Sequence, residues 1–176
     1  MQAQTATQSP GTVDAREGMY LTFNIADEVF GIGVEYVREI IGIQPITLIP
    51  EFPDHIKGVI NLRGKIIPVM DVRLRFKRPE RPYDARTCTI VVDIQGISMG
   101  LIVDRVDEVL TIPNREIAVP PGMNRHASRY IKGFGKVGDQ IKLLLDCDAL
   151  LSEEAKTIKE NEENVYALVP KHENIG

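Results

Sequence analysis

The chain has 176 residues and a formal net charge of −4, and 43% of its residues are hydrophobic. This composition is typical of one ordinary globular domain or two very small ones, and it gives no general electrostatic attraction to nucleic acid. No apolar run approaches the roughly 20 residues that span a bilayer, and the first seventeen residues lack the pattern of a signal peptide. We therefore expect a cytoplasmic protein with no direct membrane insertion.

The chain begins with a polar tail, which is followed by a predicted pair of strands. Residues 1–17 are rich in Gln, Thr and Ala, and we expect them to be disordered. Residues 20–25 alternate between apolar and polar side chains, residues 26–28 make a turn, and residues 29–32 return as the partner strand. The pattern over residues 34–43 predicts one helical turn followed by a strand.

Residues 56–76 contain a strong hairpin signal. Two runs rich in β-branched residues flank the segment Asn61-Leu62-Arg63-Gly64, which is predicted to form the turn. Gly64 can take the positive φ that such a turn often needs, and Asn61 can hydrogen bond to the backbone. Arg63 would then lie in water at the tip, where a charge that serves solubility is the ordinary interpretation.

The end of this hairpin leads into a linker. Asp71 follows the second strand and could cap a short helical turn through Leu74. Residues 77–86 carry two prolines and several basic residues, which predicts a solvated connection.

After the linker the pattern starts again, with strands predicted at 89–94 and 97–103. At an offset of 69 the matched pairs are Phe23/Val92, Ile25/Ile94, Gly31/Gly100, Val34/Val103, Glu35/Asp104, Val37/Val106, Glu39/Glu108 and Ile40/Val109. At an offset of 75 they are Ile56/Ile131, Lys57/Lys132, Gly58/Gly133, Ile66/Ile141 and Asp71/Asp146. This internal repeat predicts an all-β protein with short helices, made of two small barrels that pack together for stability.

The end of the chain is predicted to be helical. Residues Ser152, Glu153 and Glu154 are typical of a helix N-terminus, where the helix dipole favours acidic side chains. We expect residues 156–176 to form a C-terminal helix or tail.

Patterns that would carry chemistry are missing from the sequence. His55, His126 and His172 share no ligand spacing with one another or with a cysteine, so we expect no metal site. Cys88 and Cys147 form no C-x-x-C motif and are interpreted as small buried residues. Catalytic and cofactor motifs are also missing, and the basic residues lack the interleaved aromatics of a nucleic-acid surface.

The two copies differ at their hairpin tips. Residues 61–64 of the first copy align with Lys136-Val137-Gly138-Asp139 of the second, and Arg38-Glu39 aligns with Asp107-Glu108. Core positions constrain both copies, whereas exposed loops are free to specialise. Two related but different faces without catalytic residues indicate a scaffold that holds different partners.

Three segments of the chain carry a family pattern in order: F-G-I-G-V-E-Y-V-R-E-I-I, H-I-K-G-V-I-N-L-R-G-K-I-I-P-V-M-D-V-R and G-L-I-V-D-R-V-D-E-V-L. Over residues 19–151 the chain resembles the CheW family of chemotaxis coupling proteins. The resemblance implies two intertwined five-stranded SH3-like barrels around a shared apolar core. We expect a CheW-like domain over 18–155, with the first barrel mainly 18–80, the second mainly 85–155, and strand exchange between them possible.

The resemblance also implies partners. Such a protein is a non-catalytic adaptor that links the cytoplasmic tips of methyl-accepting chemoreceptors to the regulatory domain of the histidine kinase CheA, and is recruited to membrane-bound receptor arrays. It needs no cofactor. The positions that match the family's kinase-facing residues are Val37, Glu39, Gly58, Asn61, Arg63 and Gly64. Those that match receptor contacts are Thr87, Cys88 and Val109.

Two alternatives stay open at this point. One is a small-ligand-binding β-barrel protein that uses the groove between the two barrels, and the other is an enzyme of unrecognised mechanism. Two structural predictions accompany the adaptor interpretation. Arg63 should lie close to Glu39, and Gly58 and Gly133 should sit where any side chain would clash.

Overall fold

The computed structural model describes residues 17–119, 129–154 and 156. The predicted tail, apart from Glu17, and the C-terminal residues beyond 156 lie outside this part of the chain. The strands are β1 (Met19–Ile25), β2 (Glu28–Gly33), β3 (Val37–Gly42), β4 (Ile56–Leu62), β5 (Lys65–Asp71), β6 (Cys88–Ile94), β7 (Ile97–Val103), β8 (Arg105–Thr111), β9 (Ile117–Ala118), β10 (Ile131–Val137) and β11 (Gln140–Leu145). The helices are α1 (Val72–Arg75) and α2 (147–154), with short 3-10 turns at Val34–Tyr36 and Asn114–Glu116.

Two sheets contain these strands, and each takes strands from both copies of the repeat. The five-stranded sheet has the order β3-β6-β7-β5-β4, and the six-stranded sheet has the order β8-β1-β2-β11-β10-β9. The first hairpin of each copy is therefore exchanged. Strands β1 and β2 join the second copy through a parallel β2–β11 ladder, and β6 and β7 join the first copy through a parallel β5–β7 ladder. The six-stranded sheet exceeds the expected five because the two-residue strand β9 pairs with β10.

The exchanged hairpins are buried on both faces. In β6, Ile90 and Val92 enter the apolar cluster shared by the two sheets, whereas Val91 enters a smaller cluster inside the five-stranded sheet. Tyr20 of β1 lies likewise inside the six-stranded sheet, and Phe23 lies in the shared cluster. Burial on both faces explains why apolar residues such as Tyr20 and Val91 occupy positions that would face water in a half-exposed strand. The shared core predicted from the resemblance is confirmed.

Several local predictions are confirmed, and the predicted start of the C-terminal helix is wrong. The 3-10 turn at Val34–Tyr36 is followed by strand β3, and the Asp71 carboxylate caps α1 by accepting a hydrogen bond from the Leu74 N–H at 3.3 Å. The C-terminal helix does not begin at Ser152. It begins at residue 147, because Asp146 caps it through the Ala149 N–H at 3.0 Å, as Asp71 caps α1.

The two equivalent glycines sit at bulges where a side chain would clash, as predicted, and in each case the clash is with a covering segment. Register shifts occur beside Gly58 and beside Gly133. A Cβ at Gly58 would overlap the carbonyl oxygen of Thr47, and Gly58 has a φ of +145°. A Cβ at Gly133 would lie 2.6 Å from the side chain of Ile117. In both copies the missing side chain lets a preceding segment cross close above the strand.

Candidate protein-interaction site

The tip of the first hairpin is a rigid two-residue loop. Arg63 and Gly64 connect β4 to β5 with φ values of 51° and 85°, the left-handed geometry that tight hairpins use. The side-chain oxygen of Asn61 accepts a hydrogen bond from the Gly64 N–H at 2.8 Å. The loop is shorter than the four residues predicted, because Asn61 and Leu62 still pair with β5. Its geometry is thus fixed from within.

Arg63 forms an ion pair with Glu39, as predicted. The Arg63 side chain is 72% exposed and that of Glu39 is 29% exposed, so the pair lies at the surface. Glu39 is on β3 and Arg63 follows β4, and these two strands are the opposite edges of the five-stranded sheet. The contact therefore shows that the sheet curves until its edges meet, as in a small barrel.

Most of the predicted kinase-facing residues lie at or next to the tip of the first hairpin. They differ in how exposed they are. Asn61, Arg63 and Gly64 are exposed at the tip, and Glu39 is paired to it. Val37 is half-buried against the shared core. Gly58 is buried beneath Thr47, so its backbone shapes the surface from below.

Sequence reasoning missed the exposed apolar residues on the strands of the five-stranded sheet. Ile40 on β3 and Ile66 on β5 are large and exposed, and so are their repeat equivalents Val109 and Ile141. The repeat already contained a signal for these residues. An apolar side chain that occurs in both copies at a strand position facing water does not serve the core, so it needs another explanation. Large exposed apolar side chains on a surface that also carries charged groups are typical of protein interfaces.

The second copy presents a related face without the arginine. Glu108 of β8 corresponds to Glu39, but Gly138, with a φ of 61°, stands where the first hairpin has Arg63. The Glu108 backbone is fixed by Thr22, whose hydroxyl donates to the Glu108 carbonyl at 2.7 Å. The two faces therefore share apolar positions and differ in charge.

Two of the predicted receptor-facing residues lie on different sheets, and Thr87 lies in the loop before β6. Thr87 is buried, and its hydroxyl oxygen accepts a hydrogen bond from the Asp84 N–H at 2.9 Å. Cys88 is half-buried at the start of β6, in the five-stranded sheet. Val109 is exposed on β8, an edge of the six-stranded sheet. Thr87 thus supports the loop that leads into β6, while Cys88 and Val109 belong to different surfaces.

Two of the cavities among the described residues are lined mainly by polar side chains. One of about 350 Å³ is lined by Asn24, Ala26, Asp27, Arg81, Asp84, Arg86, Asp104 and Arg105. Another of about 580 Å³ is lined by Pro53, His55, Arg75, Arg129, Tyr130, Ser152, Glu153, Glu154 and Lys156. Small-molecule sites are mostly apolar and enclosed, which these are not.

Metal-ligating side chains and thiols are two kinds of reactive group that the described part of the chain contains. Among residues 17–119, 129–154 and 156, no three His, Cys, Asp or Glu side chains lie together as metal ligands. Burial raises the pKa of the Cys147 thiol far above its usual range, which keeps it protonated and unreactive. The surface features therefore favour binding of a macromolecule.

The family model for the CheW-like domain matches residues 19–155. The chain belongs to the CheW-like domain family. A chemotaxis protein CheW of Klebsiella aerogenes is 36% identical over 143 residues, which cover 81% of this chain and 86% of that protein. One of Bacillus subtilis is 31% identical over 136 residues, covering 77% and 87%.

The fold agrees with a solved member of the CheW-like family. The crystal structure of the scaffolding protein TtCheW from Thermoanaerobacter tengcongensis superposes with a TM-score of 0.68 at 36% sequence identity, covering 73% of this chain and 88% of that one. The family resemblance of the three sequence motifs is thus confirmed. None of the described helices of this CheW-like chain is long and apolar enough to cross a membrane.

Proposed function

We propose that the chain is a non-catalytic chemotaxis scaffold that couples a CheA-type histidine kinase to the cytoplasmic tips of chemoreceptors. Family membership supports the chemotaxis role, since the matched relatives are named chemotaxis proteins and one is named a scaffolding protein. The observation that carries the proposal is the pre-formed Arg63–Glu39 pair at the hairpin tip, on a sheet whose strands also expose Ile40 and Ile66. A pre-organised charged group on a sheet that also exposes apolar side chains suits a partner surface that excludes water.

The kinase's regulatory domain is the partner that we assign to this first face. Asn61, Arg63 and Gly64 form its rim, Glu39 orients the arginine, and Val37 and Gly58 support it from within. The receptor tip is assigned to the surfaces that include Cys88 and Val109, with Thr87 supporting the first of them. The proposed functional unit is residues 18–155, and binding to receptors recruits it to membrane-bound arrays.

Titration calorimetry with the kinase regulatory domain of the same organism tests the proposal. Arg63→Ala should weaken binding about tenfold to a hundredfold, because a hydrogen bond to a charged group in a dry interface is worth roughly 1.5–3 kcal/mol. Lys136→Ala, at the exposed tip of the second hairpin, is the matched control and should bind normally. Equal binding by both variants and the wild type would remove the first face from the proposal.

A parallel measurement tests the receptor assignment. Val109→Asp should weaken capture of a receptor-tip fragment while leaving kinase binding unchanged. Loss of kinase binding alone in this variant would mean that the two partners have been assigned to the wrong surfaces.

A further inference from the structure

Helix α2 covers one side of the core shared by the two sheets. It follows β11 directly, and its apolar residues Cys147, Leu150 and Leu151 are buried in that core. On its exposed side Asp148 accepts a hydrogen bond from the Tyr36 hydroxyl at 3.2 Å. Since Tyr36 belongs to the first copy and α2 to the second, the helix joins segments of both.

The last turn of α2 is held by two glutamates. Glu154 is buried, and its Oε1 lies 2.6 Å from the Nε2 of His55 and 3.5 Å from the Nε of Arg75. Glu153 pairs with the Arg129 guanidinium, accepts a hydrogen bond from the Tyr130 hydroxyl, and lies 3.5 Å from Arg75. The Arg75 guanidinium also stacks 4.1 Å above the Tyr130 ring.

These six residues (His55, Arg75, Arg129, Tyr130, Glu153 and Glu154), here called the α2 polar cluster, come from four separate places in the chain. They are the entry to β4, the end of α1, the entry to β10, and α2 itself. The cluster lines a cavity of about 580 Å³ together with Pro53, Ser152 and Lys156. Water can therefore enter beside the last turn of the helix.

The attachment of α2 differs in kind from that of the strands. Each strand is joined to a neighbour by a ladder of backbone hydrogen bonds, whereas the Leu150 N–H bonds within the helix, to the Asp146 carbonyl at 2.9 Å. The contacts of α2 with other elements are made by side chains, and those of Glu153 and Glu154 lie at the cavity that the α2 polar cluster lines. The free energy of local opening should be lower for a segment attached in this way than for the strands of a sheet.

We propose that α2 is a strap that opens as a unit while both sheets stay folded, and that the α2 polar cluster sets the population of the open state. In that state Leu150 and Leu151 leave the shared core. Opening enlarges the small cleft that Leu151 lines together with Ile94, Ile97 and Met99. It also releases a link between first-copy and second-copy segments.

Amide hydrogen exchange of the full chain at neutral pH tests the strap. The amides of residues 150–154 should exchange at least tenfold faster than those of β6 and β7. Glu154→Gln should raise the α2 exchange rate about another tenfold and leave β6 and β7 unchanged. Glu80→Gln, which removes an exposed ion pair with Lys57 at 2.5 Å, is the matched control and should change neither.

Three results would overturn the strap. The first is exchange of α2 and β6 at one common rate with the same denaturant dependence, which means that α2 opens only on global unfolding. The second is an unchanged α2 rate in Glu154→Gln. The third is an equal increase in both regions. If Glu154→Gln does not fold, Arg129→Gln replaces it, since this more exposed side chain pairs with Glu153, and about threefold faster α2 exchange is then expected.

Discussion

Two arginine ion pairs of this chain differ in what they contribute, because they differ in burial. Arg63 and Glu39 are 72% and 29% exposed, so water and salt screen their attraction. Arg73 and Asp104 are only 10% and 18% exposed. Asp104 also accepts a hydrogen bond from the Ala26 N–H at 2.8 Å, so it fixes the β1–β2 turn as well. The first pair serves a surface and the second holds elements together.

This contrast predicts a small loss of stability for one alanine substitution and a large loss for another. Arg63→Ala should lower the free energy of unfolding by less than about 1 kcal/mol. Arg73→Ala leaves Asp104 without its main partner in a largely buried site and should cost about 2–4 kcal/mol. Urea unfolding of both variants measures the difference. A loss of similar size in the two would mean that the Arg63 pair is structural rather than a binding feature.

The glycines of the two bulges give a second comparison. Gly58→Ala should be strongly destabilising, by about 2–4 kcal/mol, because it combines a φ of +145° with overlap of the Thr47 carbonyl. Gly133 has no positive φ, and its added Cβ would meet the movable Ile117 side chain at 2.6 Å and the Ala118 carbonyl oxygen at 2.9 Å, so Gly133→Ala should cost about 1–3 kcal/mol. Thermal unfolding of the two variants shows which substitution lowers stability more. A greater loss at Gly133 would mean that the Thr47 segment can move aside.

For single residues, the sequence predicted side-chain contacts better than it predicted which residues are buried under other segments. The Arg63–Glu39 contact followed from the two copies differing at matched positions. The burial of Gly58 did not follow, because the segment that covers it, at Thr47, comes from an irregular connection with no periodic pattern. The exposure of Ile66 was missed for a similar reason, since a β-branched residue next to a turn is equally typical of a buried strand end.

Among the elements, the paired caps show what the repeat could have predicted. Asp71 and Asp146 were matched at an offset of 75, and Asp71 was predicted to cap a helical turn. Asp146 caps α2 in the same way, so the repeat contained the correct start of that helix. The acidic residues after Ser152 misled the prediction. They are acidic because they pair with His55, Arg75 and Arg129, which no local pattern connects to them.

The α1 cap is tied to the linker by a tyrosine, and this predicts a pH dependence. The Tyr83 hydroxyl donates to Asp71 Oδ2 at 2.9 Å, and burial, with the nearby Asp71 carboxylate, raises the pKa of Tyr83 far above its usual range. The unfolded chain therefore releases this proton first, near pH 10. The contribution of Tyr83 to the free energy of unfolding should therefore be constant below about pH 10 and should decrease at higher pH.

Urea unfolding between pH 8 and 11 checks this expectation against Tyr83→Phe. The variant should lose about 1 kcal/mol at pH 8, where the hydrogen bond is intact in the wild type, and should show a shallower fall above pH 10. Parallel curves for the two proteins would mean that Tyr83 does not contribute to the alkaline loss.

For the whole molecule, the repeat predicted two related units but left open which hairpin joins which sheet. Strands β1–β2 and β6–β7 have the same pattern, so either hairpin satisfies the apolar requirements of either sheet. The structure selects exchange, in which β7 lies beside β5 and β2 lies beside β11. In an unexchanged arrangement β2 would take the place of β7 next to β5. Sequence pattern alone does not distinguish these pairings, because they bury equivalent side chains.

The exchange predicts that neither half folds alone. A fragment 1–80 contains β3, β4 and β5 but lacks the β6–β7 hairpin that fills its sheet, and a fragment 81–176 lacks β1–β2. Each should be largely unfolded by circular dichroism, and mixing them should restore a sheet spectrum with one cooperative melting transition. Complementation is expected because the interface they form includes both parallel ladders and the whole shared core. Cooperative melting of fragment 1–80 by itself would mean that β1–β2 can pair with its own copy. In that case the exchange would be a preference of the intact chain rather than a requirement of the fold.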